Sequence, residues 1–146
     1  MFKKILVAID GSNQGNKALD SAIAIAQGAE GELHIMHVIK NDMVPSYVLA
    51  ELSTISFQVD FIEVARKHGD TILELAAEKA KQAKLTTYTH LLEGDPARMI
   101  SSFAEEHDMD LIVLGSRGLT QMKEWMLGSV SHRVSQYAEK PILIVK

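Results

Sequence analysis

Five short apolar runs recur along this chain, separated by stretches of helical periodicity. The runs are KILVAI (4–9), ELHIMHVI (32–39), TTYTHLLE (86–93), LIVLG (111–115) and PILIVK (141–146). A strand that reads as near-continuously apolar has to be covered on both faces, as in a parallel sheet wrapped by helices. The stretches between the runs supply those helices. Residues 16–27 place Ala18, Ala22 and Ile25 on one stripe, with Leu19, Ile23 and Ala26 beside it. Residues 70–84 carry Ile72, Leu75, Ala76 and Ala80, and end near Lys79 and Lys81, where the helix dipole favours cations. Asp95-Pro96 is a cap residue followed by a first-turn proline, and Ile100, Phe103 and Ala104 follow on one face. A last helix opens near Ser129 with Val130, Val134 and Tyr137 as its stripe. The alternation predicts one α/β domain over residues 1–146. Its core is a doubly wound, open, five-stranded parallel sheet with helices on both faces. Segment 40–66 is too long for a simple connection and is expected to hold a helical piece of its own.

Composition narrows the function. There is no cysteine, which removes disulfides, thiolate metal sites and cysteine nucleophiles. The net charge is -4, with no basic tract and few aromatics, so nucleic acid is not an expected partner. The first apolar run is too short for a signal-peptide core. No run approaches the roughly 20 residues that span a bilayer. The chain therefore reads as soluble and cytoplasmic.

The segment GSRGLTQMKEWMLGSVS (115–131) sets Gly115, Gly118 and Gly128 in a fixed rhythm, with Ser129 straight after the last. In open α/β sheets ligands bind beyond the carboxyl ends of the strands, where the strand order reverses. Glycine admits positive φ and close backbone approach. A helix start offers unpaired N–H groups that attract phosphate. Hydroxyls at Ser129 and Ser131 add hydrogen-bonding capacity. The layout reads as a two-piece phosphate cradle, although each position alone also suits an ordinary loop glycine or a cap serine. Asp10 follows the first strand and suits either a ligand contact or a cap. Arg117, inside the loop, either meets phosphate or lies in solvent. Trp125, with Met122 and Met126, suits apolar packing better than a lid. HIMH (34–37) fails as a metal pair, because residues three apart on a strand point to opposite faces.

The pattern Gly115-x2-Gly118-x9-Gly128-Ser129 resembles the ATP-binding signature of the universal stress protein family. KILVAIDGS, LGSVSHRV and KPILIVK resemble that family's first strand, last helix and closing strand. The resemblance covers nearly the whole chain and implies the strand order 3-2-1-4-5, with ATP and Mg²⁺ as ligands. By position it implies that Ala8 and Ile9 line the nucleoside and that Asp10 contacts the ribose near the metal–phosphate region. It implies that the backbone of Val38 reads adenine. It places Gly115, Gly118, Gly128, Ser129, Val130 and Ser131 on phosphate and ribose, with Asp10 and Gly115 facing each other across the crevice. It also implies a homodimer through the edge strand at 141–146. That edge is apolar, and pairing with another copy would cover it.

Three functions compete at this point. One is a nucleotide-dependent stress-response regulator or sensor that acts through partner proteins. Another is a slow ATPase or nucleotidyl-transferring enzyme, for which no lysine is obviously placed on a terminal phosphate. The last is an interaction module without a ligand, which the intact glycine pattern disfavours.

Overall fold

The computed structural model describes residues 1–40, 55–119 and 126–146. Five strands, β1 (Lys4–Ala8), β2 (Glu32–Ile39), β3 (Thr86–Glu93), β4 (Leu111–Gly115) and β5 (Ile142–Val145), form one sheet. All pairings are parallel, and the order is β3-β2-β1-β4-β5. The order reverses at β1, which pairs with β2 on one side and β4 on the other. Among the described residues four helices accompany the sheet: α1 (Asn13–Ala29), α2 (Ile55–Gln82), α3 (Pro96–Glu106) and α4 (Ser129–Tyr137).

The apolar runs are buried on both faces, and alternate residues serve separate cores. Ile5, Val7, Leu33, Ile35, Leu111 and Val113 pack under α1 and α2. Leu6, Met36, Ile112 and Leu114 pack under α3 and α4. β3 lies at an edge and is the most exposed of the five strands, which fits its threonines. The two histidines of HIMH do diverge. His34 hydrogen-bonds to His90 and to Glu32, both at 3.0 Å, beside the ring of Phe103. His37 reaches instead to the carbonyl of Ile9 at 2.8 Å.

Two helices differ from the sequence reading. α2 begins at Ile55 and runs unbroken for 28 residues, well before residue 70. The buried row Gly69, Leu73, Ala76 and Ala80 carries it straight through a glycine. Leu75 lies off that row and is 71% exposed. On α4, Val134 is fully buried, but Tyr137 lies on the outer side under the guanidinium of Arg133, 5.5 Å from its ring centre. The part of segment 40–66 at 41–54 lies outside the described residues, as do Met122 and Trp125. Met126 is half-exposed at 40%. Among the described residues no helix is long and apolar enough to cross a membrane.

Candidate functional site

β1 and β4 end side by side, so the turns that leave them share one crevice at the carboxyl edge of the sheet. After β1 the chain makes a turn in which the Asp10 Oδ1 accepts the Ser12 N–H at 2.9 Å. The Ser12 hydroxyl in turn accepts the Gly15 N–H at 3.0 Å and caps α1. Asp10 is therefore not the cap. Its second oxygen, Oδ2, faces the loop that leaves β4.

That loop is tied down at Ser116, a buried residue. Its N–H donates to the Val145 carbonyl at 2.7 Å, and its carbonyl accepts the Gly128 N–H, also at 2.7 Å. The Ser131 hydroxyl, buried as well, lies 3.1 Å from both the Ser116 and the Gly128 carbonyls. The two pieces of the glycine pattern are thus stitched together with α4 starting between them.

None of the three pattern glycines has positive φ. Each is needed for space. A Cβ on Gly118 would lie 2.7 Å from the Asp10 Oδ2. One on Gly128 would lie 3.2 Å from the Arg117 Cα and 3.3 Å from the Ser116 carbonyl oxygen. One on Gly115 would lie 2.9 Å from the backbone carbonyl of Gln14, in the first turn of α1. This corrects the expected pairing across the crevice. Asp10 faces Gly118, while Gly115 faces α1, because β4 packs against the first turn of that helix.

α4 starts with an open end. Gly128 is its N-cap and makes no side-chain cap bond. Among the described residues no acceptor reaches the N–H groups of Ser129, Val130 and Ser131. Unpaired N–H groups at a helix start carry partial positive charge and suit a phosphate. The Ser129 side chain is exposed and makes no hydrogen bond among the described residues; the same holds for the guanidinium of the partly buried Arg117.

On the other side of β1, β2 runs on past its neighbour. The Met36 carbonyl accepts the Ile9 N–H at 2.9 Å, and the Ile39 carbonyl accepts the Gly94 N–H from the β3 side, also at 2.9 Å. Backbone groups alternate sides along a strand, so the N–H and C=O of Val38 point toward β1, beyond its last ladder bond. Ala8 and Val38 are both partly buried, against the core under α3. The crevice therefore offers a donor–acceptor pair at one end and three open donors at the other. Among the described residues no group of three or more His, Cys, Asp or Glu side chains is arranged to hold a metal.

Several contributors were not singled out from sequence. Ser116 and Ser12 act through hydrogen bonds that have no periodic signature. Arg133 grips Asp95 with both nitrogens, at 2.7 and 2.9 Å, and so fixes α4 to the cap of α3. The Arg133 hydrogen bond holds the Asp95 carboxyl below the usual carboxylate range. The Gln14 Oε1, on the residue that faces Gly115, is buried with no partner among the described residues.

The model of the Universal stress protein family matches residues 1–146. Universal stress protein YxiE of Bacillus subtilis is 43% identical over 148 residues and is covered in full, as is this chain. The solved structure of hypothetical protein MJ0577 superposes with a TM-score of 0.85 at 27% identity, covering 100% of this chain and 96% of that one. A universal stress protein solved in complex with cAMP superposes with a TM-score of 0.69 at 26% identity, covering 99% and 96%.

The two kinds of glycine contact predict different outcomes. Gly115→Ala drives a Cβ into the backbone of α1 and should destabilise the fold by about 1–3 kcal/mol. Gly118→Ala meets only a carboxylate that can turn aside, and should cost under about 1 kcal/mol. Urea denaturation of both variants measures the contrast, and equal losses would contradict it.

Proposed function

We propose that this chain, which belongs to the universal stress protein family, is a small cytosolic regulator that binds ATP with Mg²⁺ and signals stress through partner proteins. One observation carries the reading. The start of α4, whose first N–H groups have no acceptor among the described residues, lies beside Gly118 and Gly128, whose lack of side chains lets the loop close against Asp10 and the helix start. The relative solved with cAMP supports an adenine nucleotide as the ligand class.

In this reading Val38 pairs with the base edge, and Ala8 and Ile9 line the nucleoside. Asp10 meets the ribose or, through its open Oδ2, the metal ion. Gly115 and Gly118 let the backbone approach the phosphates, with Arg117 beside them. Gly128, Ser129, Val130 and Ser131 present the donors of α4. Bound Mg²⁺ would offset the phosphate charge. Occupancy can act on partners only so far as the nucleotide favours one loop arrangement over another.

Turnover is expected to be slow. Phosphoryl transfer calls for a positioned base and cationic clamps; Arg117 is the cation of the loop among the described residues, and the loop's Lys123 lies outside them. A slow ATPase or nucleotidyl transferase is the second reading. It is favoured by the Asp10 Oδ2, which has no donor among the described residues.

Calorimetry with MgATP, AMP and cAMP tests the site. The parent should bind saturably. Gly118→Val, still folded, should lose at least about a hundredfold in affinity, or about 2.7 kcal/mol. A parent that binds none of the three would overturn the reading. Steady multiple-turnover hydrolysis that disappears in Asp10→Ala would favour the enzyme.

The outer edge of β5 carries no neighbour within the sheet, and Leu143 on it is 37% exposed. We read residues 141–146 as a homodimer edge. Sedimentation equilibrium should give twice the chain mass at micromolar concentration, and a monomer there would rule the dimer out.

A further inference from the structure

Among the described residues no partner reaches the Val38 N–H or C=O on the β1 side, and this depends on its neighbour. In a parallel ladder a residue donates its N–H to the carbonyl just before its partner and accepts the N–H just after it. Ile9 makes the first of these bonds, to the Met36 carbonyl at 2.9 Å. The second would bring the Val38 N–H to the Ile9 carbonyl, and that bond does not form. The Ile9 carbonyl is instead 2.8 Å from the Nδ1 of His37. A carbonyl only accepts, so this nitrogen carries the hydrogen. A side chain has taken the place of the backbone donor.

The ring is held there by α2. A Cβ on Gly69 would lie 2.9 Å from the His37 Cδ2 and 2.7 Å from the Leu91 Cδ1. Glycine inside a helix costs about 1 kcal/mol relative to alanine. Here it makes the room the imidazole occupies.

We propose that His37 is a positioning residue for base recognition: its imidazole takes the Ile9 carbonyl, halts the β1–β2 ladder one bond short, and keeps the Val38 N–H and C=O open to the edge of a purine. This rests on the nucleotide reading of the crevice. Adenine offers a ring nitrogen that accepts and an amino group that donates, which match an N–H beside a C=O. Guanine places an acceptor where adenine has its amino donor, so the same pair should reject it.

The test compares the parent with His37→Leu, His37→Asn and Gly69→Ala. Amide hydrogen exchange at Val38 is followed in nucleotide-free protein, together with affinities for MgATP and MgGTP. In the parent, Val38 should exchange fast and become protected when MgATP binds. In His37→Leu the ladder should close, giving protection without nucleotide and at least a tenfold weaker MgATP affinity. Gly69→Ala, which removes no polar group, should shift both readouts the same way by displacing the ring. His37→Asn, whose amide can still donate to Ile9, should retain fast exchange and most of the preference for MgATP over MgGTP. Fast Val38 exchange in both folded His37→Leu and Gly69→Ala overturns the proposal whatever the affinities. A parent that binds no nucleotide overturns the base-reading role, while Val38 exchange still decides whether His37 holds the ladder open.

Discussion

The carboxyl end of the sheet depends on Ser116. One buried residue closes three contacts: its N–H to β5 at Val145, and its carbonyl to the N–H of Gly128 and the hydroxyl of Ser131. Each such bond contributes about 0.5–1.5 kcal/mol net, and a buried partner left alone costs more than that. The energy matters less than the geometry. These bonds fix where α4 begins relative to the end of β4. They bring Gly128 against Arg117 and set the open donors of α4 beside Gly118 and Asp10. The Arg133–Asp95 grip then fixes the same helix from its far side.

The helix starts show how stability and function divide. α1 is capped by Ser12, and α3 by Asp95, which accepts the Arg98 N–H at 3.2 Å. Both satisfy first-turn donors from within the chain. α4, at the crevice, has glycine as its cap and no side-chain acceptor. A serine or aspartate there would add about 1 kcal/mol of helix stability. In the proposed reading it would also fill the place of an incoming phosphate. The glycines around it follow the same logic. They provide close approach between backbone segments, and their conformations are ones other residues adopt freely.

Much of the architecture was legible in the sequence. Runs buried on two faces indicate a parallel sheet, and Asp95-Pro96 marks the start of α3 where the structure has it. The strand order came from the family resemblance, since periodicity carries no information on which strands are neighbours. The extension of α2 back to Ile55 was not read, because the buried row through Gly69 depends on its neighbour across the interface. That neighbour is the ring of His37. Leu75 and Tyr137 were misread because apolar spacing fixes a stripe only to within one position. The sequence names candidate residues one by one, but not who faces whom. Asp10 opposite Gly118, and Arg133 on Asp95, depend on contacts between segments far apart in the chain. Met122 and Trp125 fall outside the described residues.

The central claim is that a crevice with open donors at both ends takes one nucleotide lengthwise. A ¹⁵N–¹H spectrum of the protein titrated with MgATP tests it most directly, residue by residue. The account predicts that the largest saturable changes fall at the amides of Val38 and of Ser129 to Ser131, with the turn at Asp10 and Gly118 following. Changes confined to the opposite end of the sheet, near Gly31 and Asp110, or at only one end of the crevice, would contradict it.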